Sequence, residues 1–286
     1  MIVAVIGKGG VGKTTVASLI LRRLLESGET PVLAIDADPS NCLGHALGIA
    51  EGRTLADMRE ELRTGAGRPP SMSSAEWFAL QAEDAMVENA GFDLLTMGRP
   101  EGKGCYCFVN NLIRDHLDRL ARSYRHVLVD CEAGLEHLSR RTSGRPDVLV
   151  CVANRSRMAV ETVRRSLDLY GDLHGGPPPR ADLVLNQCEA GQNGAAGAAF
   201  RQVFRVPQDP EVAALDSTGG SLLRLSAASP AVAALAAWEV LRPGRTWCST
   251  SAMRSRPASR ALPFDRSSWF RKIPKSRRSI PREARC

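Results

Sequence analysis

Short apolar runs rich in β-branched residues recur along the chain and alternate with longer amphipathic stretches. The runs at 2–6, 31–35, 92–97, 126–130, 147–152 and 182–186 are too short for buried helices and predict strands. Unbroken apolar triplets such as Val127-Leu128-Val129 predict strands covered on both faces. Between them, apolar positions spaced three and four apart predict helices over 13–26, 110–123 and 158–173, with Gly28 and the Gly171/Gly175 pair as stop signals. That alternation predicts a single α/β domain, with a mostly parallel, doubly wound sheet and helices on both faces. Residues 51–90 break the rhythm and predict a helical, partly irregular insertion with a loop at 65–70. Beyond about residue 241 periodicity stops and Arg, Ser and Pro dominate. The domain is therefore expected to span 1–241, and 242–286 reads as a disordered tail, either a binder of polyanions or sequence foreign to the working protein.

The first strand runs straight into Gly7-Lys8-Gly9-Gly10-Val11-Gly12-Lys13-Thr14-Thr15, and the first predicted helix opens at Lys13. A strand before and a helix after are the context that turns a glycine-rich match into a phosphate loop. Glycines let backbone N–H groups close around phosphate oxygens, and the helix N-terminus adds its dipole. Lys13 is expected to reach the β- and γ-phosphates, Thr14 to join the Mg²⁺ shell and Thr15 to meet the α-phosphate. The second strand ends in Asp36-Ala37-Asp38-Pro39 and the fourth in Asp130. Carboxylates just past strand ends lie where open α/β sheets bind ligands. Asp130 then reads as the Walker B residue holding Mg²⁺, while Asp38, directly before Pro39, could also cap a turn.

Lys8, directly after the first glycine, resembles the signature lysine of the deviant Walker A ATPases, which include MinD, ParA, the nitrogenase iron protein and related metallochaperones. The resemblance implies ATP and Mg²⁺ as cofactors, a nucleotide-dependent homodimer, and Lys8 acting across the dimer interface on the partner's transferring phosphoryl group. It further implies that Asp38 positions the attacking water, with Asp36 near the Mg²⁺ shell. In Asp130-Cys131-Glu132-Ala133-Gly134-Leu135-Glu136, Gly134 matches the glycine that senses the γ-phosphate. Asn186 matches the residue whose amide reads the adenine edge, and Pro207, in Val206-Pro207-Gln208-Asp209-Pro210, belongs to the loop that packs on the base.

Of eight cysteines, only Cys105 and Cys107 are tightly spaced, in Gly104-Cys105-Tyr106-Cys107. Two thiolates one residue apart can share a soft metal ion, but a structural zinc site takes four ligands. A two-fold dimer would bring two such pairs together. Residues 102–111 and 130–138 together resemble the CooC-type carbon monoxide dehydrogenase maturation ATPases. That likeness implies Ni²⁺ or Zn²⁺ at an intersubunit Cys105/Cys107 site and nickel delivery to a client such as carbon monoxide dehydrogenase.

Charge changes the picture only at the far end. The net +7 resides in the tail: 242–286 hold 13 basic and 2 acidic residues, whereas 1–241 hold 25 and 29, a body of −4. A ParA- or MinD-like positioning ATPase stands as one alternative. An acidic body argues against nucleic acid as its partner, and Pro243, Pro257, Pro263, Pro274 and Pro281 break any long membrane-binding helix in the tail. The other alternative is a reductase like the nitrogenase iron protein, with a bridging iron–sulfur cluster. Its second cysteine would fall near His137, so Cys131 is displaced and Cys107 extra. The chain opens on a strand, without a charged-then-apolar leader, and no stretch approaches a membrane span, so the expected address is the cytoplasm.

Overall fold

The computed structural model of the chain describes residues 1–50, 52–65, 67–99, 115–131, 145–188 and 200–239. Cys105, Cys107, Gly134 and the tail lie outside these residues, so the expectations placed on them are carried forward as proposals.

Among the described residues, eight strands form one sheet in the order β3-β4-β2-β5-β1-β6-β7-β8. They are β1 (Ile2–Gly7), β2 (Val32–Asp36), β3 (Val87–Glu88), β4 (Phe92–Thr96), β5 (His126–Asp130), β6 (Val148–Ala153), β7 (Ala181–Asn186) and β8 (Gln202–Val206). Every pairing is parallel except the short β3–β4 hairpin. The six predicted strands are present with ends shifted by a residue at most. The two that escaped the pattern are β3, only two residues long, and β8, an edge strand whose Gln202 and Arg205 interrupt its apolar run.

The helices are α1 (Lys13–Glu26), α2 (Cys42–Ala46), α3 (Leu55–Thr64), α4 (Ser74–Ala85), α5 (115–121), α6 (Arg157–His174), α7 (Pro210–Thr218) and α8 (Pro230–Leu235). The insertion at 51–90 contains α3 and α4, each opened by a capping box, Thr54 with Asp57 and Ser73 with Glu76. Gly171 does not stop α6, because it lies inside the helix. Gly175, left-handed at φ 70°, ends it.

The core explains why β1 is central. Val3, Ala4, Val5 and Ile6 are wholly buried, with α1 laying Val16, Ala17, Ile20, Leu21 and Leu24 against the sheet. Each Val, Ile or Leu among them contributes about 1.5–3 kcal/mol on burial. Buried polar groups fasten the far end. Arg180 pairs with Asp182 at 2.6 Å, and the Trp238 indole N–H donates to the same carboxylate at 3.1 Å. Trp238 is fully buried, tying the last described turn of chain beneath β7. No helix among the described residues is long and apolar enough to cross a membrane.

The connections run to opposite sides about β1. Strands β2 to β5 lie on one flank and β6 to β8 on the other, so the carboxyl end of β1 is the crevice where such sheets bind ligands. Gly7, Asp36, Asp130 and Asn186 end four parallel strands and therefore converge on one edge.

Candidate nucleotide-binding site

The loop from Gly7 to Gly12 is shaped by positions that tolerate no side chain. Gly7 sits at φ 158°, and a Cβ there would collide with the Val152 carbonyl of β6. Gly12 is left-handed at φ 86°, and a Cβ there would strike the Asn186 amide. Gly10 is also left-handed, whereas Gly9 has open space around it. Gly12 is the N-cap of α1, and no side chain caps that helix. The first-turn amides thus point at the crevice with the helix dipole behind them, the arrangement that binds phosphate. Lys13 is buried and its Nζ rests 3.3 Å from the Lys8 carbonyl, drawn across the loop it would otherwise serve. The Lys8 side chain is exposed.

Three carboxylates face this loop. Asp130 is 1% exposed, and neither of its oxygens accepts a well-formed hydrogen bond, with the Thr14 hydroxyl the nearest steadying donor. Burial pushes its pKa up to about 7; Thr14 and Lys13 oppose that, and the charges of Asp36 and Asp38 add to it. A buried carboxylate left bare in this way asks for a cation. Asp36, wholly buried, is raised to about 6 by burial, although three backbone N–H groups already donate to it. Its Oδ2 receives Leu43 at 2.8 Å and Gly44 at 3.4 Å, and its Oδ1 receives Asp38 at 3.1 Å. Asp36 therefore caps α2 from outside the helix, a role the spacing did not reveal. Asp38 accepts the Ser40 N–H at 2.8 Å, so the turn-capping reading of Asp-Pro is realised in this state. Thr14, Asp36 and Asp130 fit a Mg²⁺ ion, which keeps several waters and needs only one or two protein carboxylates beside phosphate oxygens. When bound it would neutralise charge on the β- and γ-phosphates. Among the described residues no larger His/Cys/Asp/Glu cluster suited to a metal occurs.

Beside Thr14 and Thr15 opens a cavity of about 490 Å³ lined by Asn186, Gln187, Pro207 and Gln208 on one side and by Cys42, His45 and α7 on the other. Asn186 donates its amide N–H to the Val11 carbonyl at 2.9 Å. Its Nδ2 braces the phosphate loop, leaving Oδ1 as the group free to meet a base. Pro207, which the family resemblance places in a base-packing loop, lines the same cavity. Sequence reasoning missed Gln187, left-handed at φ 56° directly after Asn186, and Cys42 and His45 of α2. Burial and the neighbouring aspartates push the Cys42 thiol up to about 11, so it remains a neutral wall residue rather than a thiolate ligand. Cys151 and Cys188 are buried packing residues.

A glycine loop between a buried strand and an uncapped helix, buried carboxylates on neighbouring strand ends and a base-sized cavity define a P-loop nucleotide-binding protein. The chain belongs to the family described as the CobQ/CobB/MinD/ParA nucleotide-binding domain, whose sequence profile matches residues 2–222 and whose members are P-loop ATPases. An uncharacterised ATP-binding protein of Methanocaldococcus jannaschii is 42% identical over 176 residues, 60% of this chain and 69% of that protein. The carbon monoxide dehydrogenase accessory protein CooC of Rhodospirillum rubrum is 35% identical over 185 residues, 60% of this chain and 70% of CooC. Among solved structures, MinD of Aquifex aeolicus superposes with a TM-score of 0.60 at 20% identity, covering 82% of this chain and 93% of MinD. A ParA-family ATPase of Chlorobium tepidum gives 0.59 at 18% identity, covering 83% and 96%. These structural likenesses speak for the fold.

Proposed function

We propose that this chain is an ATP-hydrolysing metallochaperone that binds Ni²⁺ or Zn²⁺ at Cys105 and Cys107 of two subunits and delivers nickel to a client such as carbon monoxide dehydrogenase. The likeness to CooC supports the cargo and the client class. The observation that carries the coupling of nucleotide to metal is the way β4 leaves the sheet. The Met97 N–H donates to the Asp36 carbonyl at 2.8 Å, and the Met97 carbonyl accepts the Ala56 N–H of α3 at 3.0 Å. On the other side of β2, the Ala37 N–H donates to the Asp130 carbonyl at 2.9 Å. Backbone hydrogen bonds thus run in one row from the Walker B strand, through Asp36 and Ala37 at the end of β2, to Met97, the residue from which the chain continues toward Cys105 and Cys107 in sequence. Gly98 follows at φ 70° against the Thr54 side chain, with no room for a Cβ. A shift of Asp36 on binding nucleotide and cation is thereby transmitted to Met97 rather than absorbed in a loose loop.

In this reading the phosphates sit on the loop amides and Lys13, with Thr14, Asp36 and Asp130 holding Mg²⁺ and Asn186 Oδ1 accepting from the adenine amine. Exposed Lys8 reaches the nucleotide of the partner in a homodimer. Asp38 exchanges its hydrogen bond to Ser40 for the attacking water, and Gly134 senses the γ-phosphate. Residues 1–241 do this work.

Calorimetric titration of Ni²⁺ into protein saturated with ADP or with a non-hydrolysable ATP analogue tests the proposal. Expected are one ion per two chains and affinities differing by about tenfold between nucleotide states, with nucleotide affinities shifted reciprocally. Replacing Cys105 and Cys107 by Ser should abolish metal binding and spare ADP binding. Equal Ni²⁺ affinity in both states, or unchanged binding in the double variant, overturns it.

A further inference from the structure

One wall of the cavity is built differently from the rest. Val212, Ala213 and Asp216 of α7 line it, yet no residue of α7 is buried. Its apolar contacts, Val212 and Leu215, are only partly buried against the core. The stronger hold is polar and sits at one end. Asp209 N-caps α7, its Oδ1 accepting the Glu211 N–H at 2.9 Å. Its Oδ2 accepts the Ser229 hydroxyl at 2.5 Å and the Ala231 N–H at 3.2 Å, both at the start of α8. Glu211 extends the grip, its Oε1 accepting the Ser226 N–H at 2.8 Å. In contrast to α7, α8 is anchored, with Ala231 and Leu235 buried against the sheet. Burial alone would raise the Asp209 pKa, but the hydrogen bonds from Ser229, Ala231, Glu211 and Val212 outweigh it and hold the carboxylate below the usual range.

We propose that Asp209 is a positioning residue for the nucleobase: it borders the cavity, and by clasping α8 it sets α7 as the cavity wall while giving the base no hydrogen bond of its own. Both carboxylate oxygens are already engaged by protein donors, so a base amine would have to break a charge-assisted bond to reach them. Asp209 lies between Gln208, which faces the cavity, and Pro210, which begins the helix, so a shift of its carboxylate moves both. The inference rests on nucleotide binding and is independent of metal delivery. It separates two halves of one ligand: phosphates held by the glycine loop, whose geometry does not involve Asp209, and a base held by a wall that does.

The test compares Mg²⁺·ADP with Mg²⁺·tripolyphosphate, which has phosphates and no base, by calorimetry on the full chain. Asp209→Ala should weaken ADP binding by about tenfold, as loss of charged hydrogen bonds would, while tripolyphosphate binding stays within about twofold. In ATP hydrolysis the same variant should raise KM and leave kcat near wild type. Ser229→Ala, which removes one donor from the clasp and leaves the α7 cap, should act in the same direction more weakly and serves if Asp209→Ala does not fold. Asp209→Asn, keeping one acceptor oxygen, should recover part of the loss. Equal weakening of both ligands would show a general role in stability and overturn the proposal, as would unchanged ADP affinity. A wild-type protein that holds tripolyphosphate as tightly as ADP would overturn it too, by showing that the cavity takes no base, and would leave the Ni²⁺ titration to judge metal delivery separately.

Discussion

Asp130 carries a charge the empty protein would be better without, and removing that charge should make the protein more stable and unable to use a cation. Its pKa rises from 3.8 to about 7, a difference of roughly three units, or about 4 kcal/mol between its protonation states. A group whose folded pKa is raised binds its proton more tightly in the folded chain. The stability it lends is complete below the unfolded value and is lost as pH climbs through about 7. Asp36 moves in the same direction, to about 6, and the two carboxylates repel each other. The penalty is thus shared between them, and about 2–4 kcal/mol of it at pH 8 belongs to Asp130. Asp130→Asn keeps the shape and removes the charge, but leaves an amide with few partners, at about 1–2 kcal/mol. The net expectation is a gain of about 1–2 kcal/mol at pH 8, or some 2–8 °C in Tm.

Urea denaturation followed by circular dichroism, in EDTA and without nucleotide, at pH 5.5 and pH 8, measures this directly. At pH 5.5 the wild-type carboxyl is largely protonated, so the gain should disappear and the amide cost remain. His126, whose pKa burial depresses despite its bond to Glu29, costs stability as pH falls below 6.5, but it does so in both proteins and cancels. With Mg²⁺ and a non-hydrolysable ATP analogue the order should reverse, because the wild type gains the binding free energy and the variant gains little. A variant less stable than wild type at pH 8, or a difference that does not change with pH, would refute the reasoning, since either would mean that Asp130 is partnered in the empty protein.

Two further outcomes follow from close contacts. Gly12→Ala places a methyl group at φ 86° against the Asn186 amide, so it should cost about 1–3 kcal/mol of stability and reduce ADP affinity by at least about tenfold, with thermal melts and calorimetry as the readouts; unchanged affinity would show that Asn186 does not brace the loop. Trp238→Ala empties a fully buried site and removes the indole donor to Asp182, so it should cost about 3–5 kcal/mol, whereas Trp238→Phe should cost about 1–2 kcal/mol. Denaturation followed at far-ultraviolet wavelengths separates the two, and an equal small cost for both would place Trp238 outside the cooperative fold.

The residues that were legible in the sequence share one property: the chain's local geometry demands them. Gly7 and Gly12 are glycines because a strand end and an asparagine leave no room for a Cβ, and the run of apolar residues before them is apolar because β1 is buried on both faces. Such constraints act between near neighbours, so they leave a pattern of fixed spacing. Asp36 and Asp130 were legible for a related reason, since each ends a strand whose apolar run points to it. What escaped depends on distant parts of the chain meeting. Asp36 caps a helix seven residues on, across a left-handed Asn41 that gives no capping signal of its own. Asp209 reads locally as the N-cap before a proline, and only the return of the chain twenty residues later gives its second oxygen a purpose. Trp238 looks apolar and ordinary until Asp182, fifty-six positions earlier, accepts its N–H. Edge strand β8 was missed because Arg205 lies on its exposed face while Gln202, on the opposite face, is polar and accepts from Arg180 at 3.0 Å, so neither face reads as an unbroken apolar series. In this protein the glycine loop is thus encoded by contiguous residues, while the cavity beside it is assembled from segments far apart in the chain, among them residues 42–46, 186–187 and 206–216. That division gives a physical reason to expect the base wall, rather than the phosphate loop, to be where relatives with the same loop differ in affinity and nucleotide preference.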